Sequence, residues 1–285
     1  MKKSTGTYQV IDFPIERRAM PAVLELKAGK HVMYALLEVD VTVARKYIED
    51  YEKQTGEKLS FTGYLIYCLA RAVDEDKTVQ AYRKGKKQLV IFDDVDVGFM
   101  IELQKGGKHV LTGHVIRGAN HKTYREIHQE IRTVQSTQVP TSAESATWFR
   151  NAILLPWPLS RLFIAIFQQI LLHNPAIATS LAGTVGISSV GMFGKGHSGW
   201  GISSGTHVLD LTVGGTSRKP REVEGKVEGR DILCLTVLFD HDVIDGAPAA
   251  RFTHRLVELI EGGYGLDEVK TMPEKDSQPS AILTG

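Results

Sequence analysis

Apolar positions change period several times along the chain. In DVTVARKYIEDYEKQTG, Val43, Tyr47 and Tyr51 recur at helical intervals, with Ala44 and Ile48 beside them. That pattern predicts a helix opened by Asp40 or Thr42 and closed by Gly56. SFTGYLIYCLARAVDED is apolar on nearly every side and predicts a buried helix capped by Ser60. KQLVIFDDVDVGFMIEL carries two strand-like runs and HVLTGHVIRG a third. NHKTYREIHQEIRTV sets Tyr124, Ile127, Ile131 and Val134 on one helical stripe, with Asn120 as its expected cap, and STQVPTSAES reads as a loop.

The second half opens on a very apolar stretch, AILLPWPLSRLFIAIFQQILL, interrupted by Pro156, Pro158 and Arg161. The unbroken part is about half of the roughly 20 residues needed to span a bilayer, so no membrane span is expected. A buried helix or an oligomer contact is the first expectation. A helix lying on a membrane and a lid over an apolar substrate are the alternatives. GTVGISSVG then reads as a short β-branched strand, GMFGKGHSGWG as a glycine-rich turn, and THVLDLTVGG as a strand. DILCLTVLFD is nearly continuous in apolar residues, the mark of a strand covered on both faces. DGAPAARFTHRLVELIEGG predicts a helix with Asp245 as N-cap, Pro248 in its first turn, and Gly262 and Gly263 at its end. Strands and helices interleave without a strict βαβ rhythm. The expected fold is α/β, a mixed β-sheet packed with helices. One domain over 1–264 is expected, followed by a polar, flexible tail over 265–285.

Composition narrows the function classes. The chain has 285 residues, of which 34 are basic and 33 acidic, giving a net charge of +1. No global field steers such a chain to nucleic acid. Cys68 and Cys234 sit in apolar runs and are expected as buried free thiols. The opening MKKSTGTYQVIDF has no apolar signal region, so a cytoplasmic protein is expected.

Few motifs carry chemistry. GKGHSG matches the dinucleotide-binding glycine pattern, but a turn and a strand follow where a phosphate-holding helix is required. No metal-ligand spacing, nucleophile elbow or Walker loop is present. FDHDVIDGAPAARF remains. His241 ends an apolar strand, where an imidazole could exchange protons in a loop-lined cleft. Asp245, four residues on, could orient that imidazole or pair with a distant arginine. Spacing alone leaves His241 open between a catalytic base and a turn residue.

FDHDVIDGAPAARF resembles the His-x-x-x-Asp-Gly signature of the dihydrolipoamide acyltransferase catalytic domain of 2-oxoacid dehydrogenase complexes, shared with chloramphenicol acetyltransferases. GTVGISSVGMFG, MYALLEVDVT and FTGYLIYCLARAV are similar to other segments of the acyltransferases. YQVIDFPIERR and AYRKGKKQLVIFDDVDVGFMI resemble the chloramphenicol acetyltransferases. The resemblance covers residues 8 to 262 in order. It implies a chloramphenicol acetyltransferase-like two-layer sandwich and an acyltransferase using coenzyme A or acyl-CoA as co-substrate, with no metal. It implies His241 as general base toward a thiol or alcohol acceptor, and Ser188 as the oxyanion donor. Asp245 becomes a structural acid braced by Arg18, with Arg17 next. A homotrimer or a multiple of it follows, with active sites between subunits and no lipoyl group on this chain. A lipoyl domain on another chain is then a natural partner. Asp242 departs from the arginine usual in complex-forming members, and Ser189 from their asparagine. A trimeric scaffold without turnover is the alternative. A condensation-type synthetase module fits poorly, because Asp240 stands where the first His of its His-His-x-x-x-Asp-Gly signature would be.

Overall fold

The computed structural model describes residues 8–10, 12, 30–105, 108–137, 151, 152, 154–189 and 198–267. The strands are β1 (Val32–Asp40), β2 (Tyr82–Lys84), β3 (Gln88–Val90), β4 (Val97–Lys105), β5 (Lys108–Ile116), β6 (Val185–Ser189), β7 (Leu209–Val223) and β8 (Lys226–Asp240). The helices are α1 (Thr42–Thr55), α2 (Phe61–Glu75), α3 (Tyr124–Thr137), α4 (Trp157–His173), α5 (Pro175–Ala182) and α6 (Gly246–Glu261). Six strands form one sheet in the order β1-β8-β7-β6-β4-β5. β6 runs parallel to β4 and β7, and the other neighbours are antiparallel. The expected mixed α/β sheet is therefore present. β2 and β3 make a separate hairpin.

Helices α1, α2, α3 and α6 cover one face of the sheet. α2 is apolar all round because it is the middle of this layer, with Tyr64, Leu65, Tyr67 and Leu69 fully buried. Its Tyr64 hydroxyl donates to the Leu259 and Ile260 carbonyls of α6 at 3.2 and 3.0 Å. Ser60 accepts the Gly63 amide at 3.1 Å, as a capping serine should. The α1 start belongs to Asp40, whose carboxylate accepts the Thr42 amide at 2.9 Å, and Gly56 closes the helix at φ 76°. α3 corrects one expectation. Asn120 is buried before the helix, bonded to the Val95 amide and to Asp74. Thr123 and Glu126 form the capping box instead.

Along β1 the other face shows itself by alternation. Met33, Ala35 and Leu37 pack on the core, while Tyr34 and Leu36 are exposed. Among the described residues, two contacts reach over this face at β1: Trp200 Nε1 donates to the Leu37 carbonyl at 2.9 Å, and the Tyr34 hydroxyl donates to the Ser203 carbonyl at 3.1 Å.

Both cysteines are buried free thiols, as expected, and burial pushes the Cys68 thiol up to about 12. Of the tail expected over 265–285, Leu266 is buried in the core, and residues 268–285 lie outside the described residues.

Candidate active site

β8 ends in nine consecutive buried residues, Ile232–Asp240, and His241 follows at once. The turn is built from Asp240. Its carbonyl accepts the Val243 and Ile244 amides at 3.0 Å each, and its Oδ1 accepts the Asp242 amide at 3.1 Å. The buried Asp240 carboxylate is paired with Lys30 Nζ at 3.1 Å, so its charge is compensated. From the other side, the His241 amide donates to the His31 carbonyl at 2.7 Å. The backbone of His241 is thus held from two directions, while its imidazole stays 48% exposed. A rigid base with an accessible ring suits proton exchange with a bound substrate.

Asp242 has a clear role in this geometry. Its Oδ1 lies 2.8 Å from His31 Nδ1 and its Oδ2 3.2 Å from Arg83 Nη1. The hydrogen bond from His31, with the charges of His31, Arg83 and Lys30, holds its carboxyl below the usual aspartate range. One carboxylate therefore ties the His241 turn to the segment before β1 and to β2.

Asp245 corrects its expected role as a capping side chain. It holds the N-cap position with extended backbone, φ −82° and ψ 165°, but makes no capping hydrogen bond. Pro248, third in the helix, has no N–H to donate, and the Asp245 carboxylate does not engage the Ala247 amide. Asp245 is 89% exposed, and its Oδ1 is 4.0 Å from His241 Nδ1, beyond hydrogen-bond range. Arg18 and Arg17 lie outside the described residues.

Ser188 sits on β6, level with Thr212 of β7, which is level with Thr236 of β8 and through it Leu36 of β1. Paired residues share a face, so Ser188 belongs to the open side of the sheet. Gly186, Asp210 and Leu238 also stand level. Ser188 lies two residues beyond Gly186 toward one edge, and His241 three beyond Leu238 toward the other. Within one chain the two are separated by about 16 Å along the strands and about 10 Å across them.

A second buried pair braces this region. Asp210 accepts from the Thr206 amide, from the His207 amide at 2.7 Å, and pairs with His207 Nδ1 at 2.8 Å. Burial pushes Asp210 upward, but the His207 charge and these hydrogen bonds outweigh it and hold it at about 2. His207 Nε2 lies 3.0 Å from the Ala182 carbonyl at the end of α5. A side chain at Gly186 would collide with both members, which explains the glycine in GTVGISS.

Residues 190–197 of the glycine-rich turn lie outside the described residues. Residues 198–208 contain no helix before β7, so the dinucleotide pattern lacks its required context. Among the described residues, no group of three or more His, Cys, Asp or Glu could hold a metal ion.

A mixed sheet with helices on one face and an accessible histidine at the end of its best-buried strand defines a class of transferase cores. The chain belongs to the family of 2-oxoacid dehydrogenases acyltransferase (catalytic domain), whose model matches residues 9–143 and 178–266. Among curated relatives, it is 24% identical over 78% of its length to the probable dihydrolipoyllysine-residue succinyltransferase component of the 2-oxoglutarate dehydrogenase complex of Schizosaccharomyces pombe. It covers 41% of that relative, and 40% of the corresponding protein of Saccharomyces cerevisiae, so the chain spans about two fifths of their length. The fold is that of Azotobacter vinelandii dihydrolipoamide acetyltransferase (TM-score 0.64, 21% identity, 90% of this chain and 94% of that one), a structure concerned with a serine, a histidine and an asparagine in that enzyme's catalytic mechanism. The cubic core of a pyruvate dehydrogenase multienzyme complex is also similar, with a TM-score of 0.61 at 20% identity over 90% of this chain and 94% of that one. The family match skips 144–177, the stretch that holds α4.

Proposed function

We propose that this chain is an acyltransferase that moves an acyl group between coenzyme A and a thiol or hydroxyl acceptor, at a site shared by two copies. His241 removes the proton from the attacking thiol or hydroxyl. The nucleophile adds to the thioester carbonyl and forms a tetrahedral oxyanion. Ser188 of the neighbouring copy donates a hydrogen bond to that oxygen, a contribution of roughly 2.7–4 kcal/mol for one well-placed donor. The intermediate collapses, the C–S bond breaks, and the thiolate of coenzyme A takes the proton back from the imidazolium. Asp245 paired with Arg18 is the proposed brace of the turn.

The observation that carries this reading is the geometry of His241: backbone pinned on both sides, ring exposed, at the end of a strand buried over nine residues. The separation of His241 from Ser188 within one chain supports a second copy as the source of the serine. The open sheet face supports it too, with Tyr34, Leu36, Met100, Trp200 and Ile202 all exposed. A homotrimer is the proposed assembly, and a dihydrolipoyl group carried on another chain is the preferred thiol acceptor.

The test follows coenzyme A release from acetyl-, succinyl- and longer acyl-CoA, with dihydrolipoamide and simple alcohols as acceptors. His241→Ala is expected to slow transfer by about 10²- to 10⁴-fold with the fold intact. Equal rates in wild type and variant would refute the assigned base. Binding of coenzyme A with no turnover on any acceptor would favour the scaffold reading.

A further inference from the structure

The stretch skipped by the family match leaves an apolar surface uncovered. α4 docks on the molecule through Ile164 and Phe167, both buried. Leu159, Leu162, Ile166 and Ile170 recur at helical spacing on its other side, and Leu155 precedes them in line. These five aliphatic side chains are 43–58% exposed, and the stripe contains no charged residue. Among the described residues no single helix is long and apolar enough to cross a membrane. α4 and α5 meet at 104°, and the aliphatic stripe runs along one side of α4, as in a helix lying in an interface.

A basic hairpin abuts the end of this helix. The Tyr82 hydroxyl donates to the Leu171 carbonyl at 2.7 Å, and the Gly85 amide to the Leu172 carbonyl at 3.0 Å. Between and beyond these anchors the hairpin carries Arg83, Lys84, Lys86 and Lys87. Arg83 is paired with Asp242, while the three lysines are exposed and have no ion-pair partner among the described residues. Leu89 and Ile91, 55% and 53% exposed, add apolar surface to the same hairpin. The balanced net charge of the chain thus hides a local cationic patch beside an apolar stripe.

We infer that α4 and the β2–β3 hairpin together form a docking surface for an anionic lipid bilayer. The aliphatic stripe enters the interface between headgroups and acyl chains, and the lysines face the acidic headgroups. Charge complementarity selects this occupant. Acidic headgroups neutralise the three lysines while acyl chains take up the stripe, a combination that a second copy of this patch, carrying the same lysines, does not supply. The copy needed for catalysis has a different surface, the open sheet face that holds Ser188.

Flotation of the full-length protein with phosphatidylcholine vesicles, with and without phosphatidylglycerol, tests this directly. Binding is expected only to the anionic vesicles and weakens as salt rises. Leu162→Glu with Ile166→Glu removes it, and thermal melting checks that this exposed pair leaves the fold intact. Replacing Lys84, Lys86 and Lys87 by Gln weakens partitioning on the order of a hundredfold. A protein that does not float with anionic vesicles at low salt overturns the inference. So does a Leu162→Glu, Ile166→Glu variant that still floats but splits an oligomer by sedimentation velocity, which would assign the stripe to a second copy. Neither readout depends on acyl transfer, so the inference and the proposed activity fail separately.

Discussion

Asp242 forms two side-chain bonds to partners far away in sequence, His31 and Arg83, and both bear on the turn that carries His241. If the three act as one clamp, removing either side of the Asp242–Arg83 pair releases the same turn. Asp242→Asn, Arg83→Gln and the double variant are therefore expected to lower kcat to a similar extent, about tenfold, with KM little changed. Fully additive losses in that cycle would contradict a shared clamp. Asp242 stands out in the sequence as an anomaly next to a candidate base, but its partners lie 211 and 159 positions away and leave no local signal. Asp210 makes a different prediction. Asp210→Ala strips His207 and two amides of their acceptor inside the protein, and is expected to destabilise by about 3 kcal/mol or more in urea titration. Asp210 is depressed from 3.8 to about 2 by folding. Its contribution is therefore fully present above pH 3.8 and lost as pH falls through about 2, so wild type and Asp210→Ala converge in stability at the acid end.

At the scale of elements, periodicity located most helices and strands and missed what covers them. The α4 stretch was expected to be buried or in an oligomer contact because it is so apolar. Apolarity predicts the helix but not its cover, and among the described side chains of α4 only Ile164 and Phe167 are buried. Asn120 was the cap expected for α3. Only Thr123 has a glutamate three positions on, and that reciprocal bond decides the start of α3. β7 and β8 run well past their apolar cores into the polar SRKPREVEGKVEGR, because ladder hydrogen bonds rather than burial sustain the hairpin there. The hairpin closes at Glu224 and Gly225, with φ 49° and 76°, the mirror-image turn that suits twisted strands. Glu224 is the one described non-glycine residue with positive φ. Glu224→Asn is expected to raise stability by about 0.5 kcal/mol, read as a higher urea midpoint with unchanged slope.

At the scale of the whole molecule, the proposed site has two halves that one chain holds apart. His241 lies at one end of the strands and Ser188 toward the other, on a face that few of the described residues cover. The family resemblance implied both residues and active sites between subunits, leaving open whether the two meet across a subunit boundary or a strand gap. It carried no distance, because strand order places β7 between their strands and the opposed directions of β6 and β8 add the lengthwise offset. The arginine assigned to Asp245 stays a proposal on the strength of the resemblance, since Arg18 lies outside the described residues. Subunit complementation tests the central claim most directly. His241→Ala and Ser188→Ala chains, each nearly inactive alone, are co-expressed and assayed for coenzyme A release. Random mixing places an intact His241 opposite an intact Ser188 at about a quarter of the interfaces, so about a quarter of wild-type activity is expected. Activity no higher than that of the two variants assayed separately, in a verified mixed oligomer, would contradict a site built from two copies.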